Sequence, residues 1–379
     1  MHIRLPTEQF KLAHYTLKGE PLKARKPTKP FNRVAFAAAH VVADPLRGGV
    51  DWDTTMAYRR HLLGLGFGIA EAMDTSQRGM GLDWPVALEL VKRSLADAGK
   101  EKAKLIYSGC GTDHLNPADA HSLEDVIKAY LAQLHAIQKL GGRIILMASR
   151  ALVRVARSPD DYVKVYAAVL READHPVVLH WLGPMFDPAL DGYWGTHDFN
   201  TAMETCLAMI NANVAKVDGI KISLLDAKKE ITMRRRLPAS FKMYTGDDFN
   251  YAELIAGDKQ GYSHALLGIF DAIAPAASLA LSALAKGDEA KFHALLGPTV
   301  PLSRLIFQAP TQYYKTGIVF LAWLNGHQDH FIMVAGAQSA RPLSYFVEIF
   351  KLADQAGLLR KPELAITRMK HLLVLYGAA

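Results

Sequence analysis

Short apolar runs rich in β-branched residues alternate along this chain with longer stretches in which apolar residues recur at i, i+3 and i+4. This is the pattern of repeated strand-then-helix units. The short runs predict eight strands, near 33–42, 66–73, 103–109, 142–149, 175–182, 218–223, 241–246 and 261–268. Between them, PVALELVKRSLADAG, LEDVIKAYLAQLHAIQKLG and DDYVKVYAAVLREAD read as amphipathic helices closed by glycine or an acidic turn. Eight such units in about 240 residues have the size of a (β/α)8 TIM barrel. Residues 1–30 then form an N-terminal arm and 31–275 the barrel. From ASLALSALAKGDEAKFHALL onward no strand repeat follows, so 276–379 read as a C-terminal helical extension packed on the barrel.

Composition adds exclusions. Half of the 379 residues are hydrophobic and 21% are charged, a balance that folds rather than remaining disordered. No apolar stretch reaches the roughly 20 residues of a membrane helix, and MHIRLPTEQFKLAHYTL has no continuous apolar core of a secretory signal. Two cysteines, Cys110 and Cys206, are too few for a disulfide scaffold and read as reduced thiols of a cytoplasmic protein. The net charge of +7 invites a nucleic-acid reading. Basic residues are dispersed, however, apart from LKARKPTKPFNR, a Pro-rich connecting arm, and MRRR, a solvated helix face. No zinc-finger spacing, RNA-binding aromatic motif or Gly-rich phosphate loop supports nucleic acid as a partner.

A barrel places its chemistry at the C-terminal ends of its strands. Polar residues collect there: His40 and Asp44, then Asp74, Thr75 and Ser76, then Asp113 and His114, then Ser149 and Arg150. His180 closes strand five, Lys221 lies on strand six, Asp247 and Asp248 follow strand seven, and His264 lies in strand eight. Lys221 and His180 stand apart because apolar runs enclose them. A lysine held among apolar groups loses charge to desolvation and keeps more of the neutral amine, a nucleophile toward carbonyl carbon. The alternative is a lysine that snorkels into solvent or pairs with Asp247.

VDGIKIS, YTGDD about twenty residues later and then GYSHALLG resemble the strand-six to strand-eight region of the dihydrodipicolinate synthase and N-acetylneuraminate lyase superfamily, and more narrowly an uncharacterised bacterial branch of it. In that family a strand-six lysine in a GIK context forms a Schiff base, and GDD follows strand seven. The resemblance implies a TIM-barrel class I aldolase or lyase that needs no cofactor, acts on a small-molecule carbonyl substrate and assembles as a homo-oligomer. Carried onto these residues, it makes Lys221 the Schiff-base residue. Where the family has a proton-shuttling tyrosine, VVLHWLGP offers His180, with Tyr244 as an alternative phenol. Asp74, Thr75, Ser76, Asp113, His114, Asp247, Asp248 and His40 become candidate substrate-binding residues. The family's loop after strand two holds a pyruvyl carboxylate with threonines and Gly-Glu. Here MDTSQRGMG keeps hydroxyls in Thr75 and Ser76, but Asp74 repels a carboxylate and the glutamate is missing. MASRALVRVA has no counterpart of the family's strand-four tyrosine.

Two rival readings remain open at this level. His40, Glu71, Asp113, His114, His180 and His264 are N and O donors from several strand ends, and three of them converging would make a metal-dependent isomerase, hydrolase or class II lyase. A barrel that has lost catalysis and serves as a sensor or scaffold is the other.

Overall fold

In the computed structural model, which describes residues 1–7, 9 and 11–378, every predicted apolar run contains a strand. Two strands precede them, β1 (His2–Pro6) and β2 (Leu12–Thr16). The eight are β3 (Ala35–Ala38), β4 (Gly68–Glu71), β5 (Ile106–Cys110), β6 (Arg143–Leu146), β7 (Val177–Leu182), β8 (Val217–Ser223), β9 (Lys242–Thr245) and β10 (His264–Leu267). All pair in parallel with their neighbours in chain order, and β10 returns to β3, closing the barrel. The chain is thus a (β/α)8 barrel with helices after the last strand. All the barrel strands except β8 are shorter than the runs that announced them. RVAFAAAHVV contributes only four residues, and the residues from Ala39 to Val42 that extend the apolar run are buried beyond the strand.

By contacts the chain divides into two compact units. One comprises Arg33–Ala38 and Gly68–Leu267 and holds all eight barrel strands; the other comprises Met1–Asn32, Ala39–Phe67 and the chain from Gly268 on.

In the barrel unit, alternate strand residues turn inward and pack solidly: Phe36, Ala38, Ala70, Ile145, Val178, Tyr244 and Leu266, with Met73 beside them. The Phe36 ring centroid lies 4.8 Å from that of Tyr107 and 6.0 Å from that of Tyr244. Gly68 makes room for this stack, since a Cβ there would come within 2.6 Å of the Phe36 ring. The surrounding helices follow from local chemistry. Pro159–Arg171 begins with a capping box, Ser158 and Asp161 satisfying each other's backbone N–H groups, and with proline where no N–H is needed. It buries Tyr162, Val165, Tyr166, Val169 and Leu170, one face of a 3.6-residue repeat, each apolar side chain contributing about 1.5–3 kcal/mol. The arginines of MRRR are committed to carboxylates: Arg234 and Arg235 to Asp258 at 3.0 and 3.2 Å, and Arg236 to Glu204 at 2.8 Å.

In the other unit the N-terminal arm begins with an antiparallel hairpin, β1 with β2. Ile3 and Leu5 alternate with His2 and Arg4 and are buried, a period-two signal too short to stand out in the sequence. The Asp354 carboxylate anchors this segment, accepting from the Tyr15 hydroxyl and the Lys18 N–H at 2.8 Å each. Among the described residues, six α-helices of seven residues or more follow Gly268: Ala274–Leu284, Glu289–Leu296, Val300–Ile306, Tyr314–Leu324, Leu343–Gln355 and Pro362–Leu375. His327 of the GHQDH motif packs against His61 and Tyr58 at ring distances of 4.6 and 4.9 Å. Burial and the neighbouring His61 charge hold its imidazole down to a pKa of about 2, so it packs as a neutral ring. No helix among the described residues is long and apolar enough to cross a membrane.

Candidate active site

Lys221 is the fifth of seven residues in β8, and the register puts it directly beside His180 of β7 and Tyr244 of β9. Alternation along β8 turns Gly219, Lys221 and Ser223 to the inner face, while Ile220 and Ile222 fill the outer one. The lysine is 7% exposed. Burial lowers its pKa against the opposing pull of two carboxylates, Asp248 and then Asp74. Asp247, the partner considered in its place, is turned elsewhere. Its oxygens accept from Phe249 N at 2.8 Å, Asn250 N at 3.0 Å and Asn250 Nδ2 at 2.9 Å, which folds the loop after β9. Burial raises the Asp247 pKa against those bonds. Gly246 gives the lysine its space: a Cβ at that position would lie 2.7 Å from Lys221 Cε and closer still to Ser223 Oγ.

His180 is 2% exposed and sits inside β7 rather than at its end. Its Nε2 is 3.2 Å from Ser223 Oγ, and its Nδ1 is buried with no hydrogen-bond partner. Burial, and after it the Lys221 charge, push its pKa well below the ordinary histidine value, so the ring is neutral.

A cavity of about 210 Å³ opens over His180. Asp74, Arg78, Thr112, Asp113, Arg150 and Asp187 supply its polar lining. Asp74 heads the short 3-10 turn Asp74–Ser76 after β4, in which Thr75 and Ser76 are buried and Ser76 Oγ donates to Met73 O at 3.0 Å. Asp113 is clamped by Arg78, Nε to Oδ2 at 2.8 Å and Nη2 to Oδ1 at 2.6 Å, and by Gln133 Nε2 at 2.9 Å. Burial alone would raise the Asp113 pKa, but the Arg78 hydrogen bonds and charge outweigh it and hold the carboxyl below its ordinary value. His114 Nδ1 is bonded to Gln133 Nε2 at 2.8 Å, and its ring faces a neighbouring hollow with Trp84. Burial lowers its pKa. Thr112 and Ser149 share a hydroxyl–hydroxyl bond of 2.6 Å at the cavity wall.

Two expected site residues behave differently. Tyr244 was considered a proton carrier, but its hydroxyl points down the barrel and donates to Asp218 Oδ2 at 2.7 Å, near the start of β8. Burial and that carboxylate raise its pKa far beyond the ordinary phenol range. It therefore reaches the floor of the barrel, not the mouth. Tyr244→Phe is expected to leave turnover within about threefold while costing about 1–2 kcal/mol of stability, read by kinetics beside urea unfolding. His40 belongs to the other unit, where its Nδ1 and its backbone N–H both bond Asp271 Oδ2 at 2.8 Å.

Two further donors of the metal reading, Glu71 and His264, are engaged elsewhere. Glu71 accepts from Ser94 Oγ at 2.6 Å and Ala72 N at 2.9 Å, and His264, at the start of β10, accepts from Val34 N at 2.9 Å. Among the described residues no three His, Cys, Asp or Glu side chains gather as a metal site would require.

A family model, Protein of unknown function (DUF993), matches residues 3–378. The chain belongs to the DUF993 family. No curated protein matches the chain. Solved structures share its fold. A prophage protein, YagE, of the dihydrodipicolinic acid synthase family from E. coli K12, solved with pyruvate, is 13% identical with TM-score 0.65, over 91% of this chain and 99% of its own. The dihydrodipicolinate synthase of Cyanidioschyzon merolae with lysine bound is 17% identical with TM-score 0.64, over 87% and 100%. That of Acinetobacter baumannii, complexed with pyruvate, is 18% identical with TM-score 0.62, over 86% and 99%. At these identities the likeness is one of fold, and it agrees with the resemblance read in VDGIKIS and YTGDD.

Several residues of this DUF993 site escaped the sequence reading. Ser223 was visible in principle, two residues past Lys221 on the same face. Gln133 sits at a core position of the helix Leu123–Lys139 and was masked by that helix's apolar repeat. Arg78, bonded also to the Ala72 and Gly109 carbonyls at 3.0 Å, lies in MDTSQRGMG with no motif to mark it.

Proposed function

We propose that this DUF993 protein is a class I, Schiff-base-forming aldolase or lyase that makes or breaks a carbon–carbon bond next to a ketone. The observation that carries this reading is a buried lysine whose amine is shifted toward neutrality, in register with a buried neutral histidine and with a glycine opposite to admit its chain. The amine of Lys221 attacks the ketone carbon, the carbinolamine loses water, and a cationic iminium results. In the cleavage direction a base takes the proton of the β-hydroxyl, and that oxygen becomes a carbonyl. The bond between the α- and β-carbons breaks, and its electron pair moves onto the α-carbon as an enamine. Protonation of that carbon and hydrolysis of the iminium return the second fragment and free lysine. Synthesis runs the same steps in reverse, beginning with loss of an α-proton. His180, which lines the cavity and whose Nδ1 has no partner in the protein, is the proton carrier, and the Ser223 hydroxyl fixes its ring through Nε2. Borohydride reduction in the presence of a panel of keto acids and keto sugars tests this reading. The expected result is a stable mass gain on the peptide carrying Lys221. Activity that is lost to a chelator and regained with a divalent ion, with no adduct formed, would refute it.

A further inference from the structure

An iminium nitrogen is a cation wherever it forms, and a buried cation needs a counter-charge. A keto acid brings its own, in the carboxylate beside the carbonyl. Here the protein itself supplies negative charge to the amine, because Asp248 and Asp74 are the carboxylates that act on Lys221, and Asp74 lines the cavity beside His180, the register neighbour of Lys221.

Both guanidinium groups of the cavity already face a carboxylate of the protein. Arg78 is spent on Asp113, Gln133 and two carbonyls, and Arg150 Nε is 2.6 Å from Asp187 Oδ2. Among the described residues no hydrogen bond closes on the Asp74 carboxylate, which lines the cavity. Independently, His180 lines the same cavity, and its buried Nδ1 lacks a partner. Thr112, another lining residue, presents a hydroxyl bonded to Ser149. A carboxylate, a neutral imidazole nitrogen and a hydroxyl pair match a ligand whose groups both donate and accept, and hydroxyls do both.

Resting on the Schiff-base reading, we infer that the ketone taken by Lys221 is uncharged beside its carbonyl: an α-hydroxyketone of the ketose class, its hydroxyl donating to Asp74. Asp74 is then a specificity residue that excludes α-keto carboxylates through like-charge repulsion.

The test is borohydride trapping on the full-length protein with dihydroxyacetone and hydroxyacetone against pyruvate, the adduct being located on Lys221 by peptide mass. Wild-type protein is expected to trap the neutral ketones at least about 100-fold faster than pyruvate. Asp74→Asn is expected to narrow that ratio about tenfold or more by admitting pyruvate. Wild-type protein that traps pyruvate as fast as the neutral ketones would overturn the inference and leave the Schiff base standing, and this comparison needs no variant. An unchanged ratio in a folded Asp74→Asn protein would overturn the role of Asp74. No Lys221 adduct with any probe would overturn the Schiff-base reading beneath it.

Discussion

Lys221→Arg is expected to abolish turnover, by more than about 10⁴-fold, in a protein that still folds. Arginine retains positive charge at every accessible pH, and its delocalised nitrogens do not add to a ketone. The substitution therefore preserves the charge facing Asp248 and Asp74 and removes only the nucleophile. The measurement that isolates this is exchange of the α-protons of a trapped ketone with deuterium, followed by NMR, since exchange requires the enamine but no second substrate. Lys221→Met, uncharged and similar in length, should be equally inactive. Because Gly246 leaves only the width of an aliphatic chain beside Cε, unfolding midpoints are needed beside the rates. Appreciable exchange in a folded Lys221→Arg protein would remove the lysine from the chemistry.

His180→Phe is expected to slow the same exchange by about 10²–10⁴-fold while Lys221 is still reduced onto the ketone by borohydride. The split is informative: a residue that merely supports the fold would lose trapping and exchange together, whereas a proton carrier loses only exchange. The pH profile should show the same assignment. Lys221 attacks only as the free amine, and burial lowers its pKa, so wild-type adduct formation should rise with pH along a limb lying below the ordinary lysine range. His180, held neutral by burial and by the lysine's charge, should add no inflection at its ordinary value. An inflection there that vanishes in His180→Phe would place the imidazole in water.

What was legible beforehand depended on how local its cause was. Each barrel strand is a run of apolar residues bounded by turn chemistry, so all eight stood out within a few residues. Lys221 and His180 stood out for the same reason, as polar groups breaking such runs. The direction of the Tyr244 side chain was not legible, because it depends on Asp218, a neighbour supplied by strand register rather than by chain proximity. The Arg78–Asp113–Gln133 clamp joins three elements across 55 residues, and none of the three carries a motif. The hairpin of β1 and β2 takes its meaning from Asp354 at the other end of the chain, to which its Tyr15 is tied.

The packed barrel floor has a kinetic meaning of its own. Phe36, Tyr107 and Tyr244 fill the interior beneath Lys221, so reactants come and go through the mouth at the C-terminal ends of the strands. On the proposed Schiff-base chemistry, the fragment bonded to the lysine would lie deepest along that path and the fragment released without a covalent tie above it. Cleavage is then expected to be ordered, the carbonyl product leaving first and the ketone last. In synthesis the ketone is expected to be the leading substrate, an acceptor that arrives early blocking the path of the partner it needs.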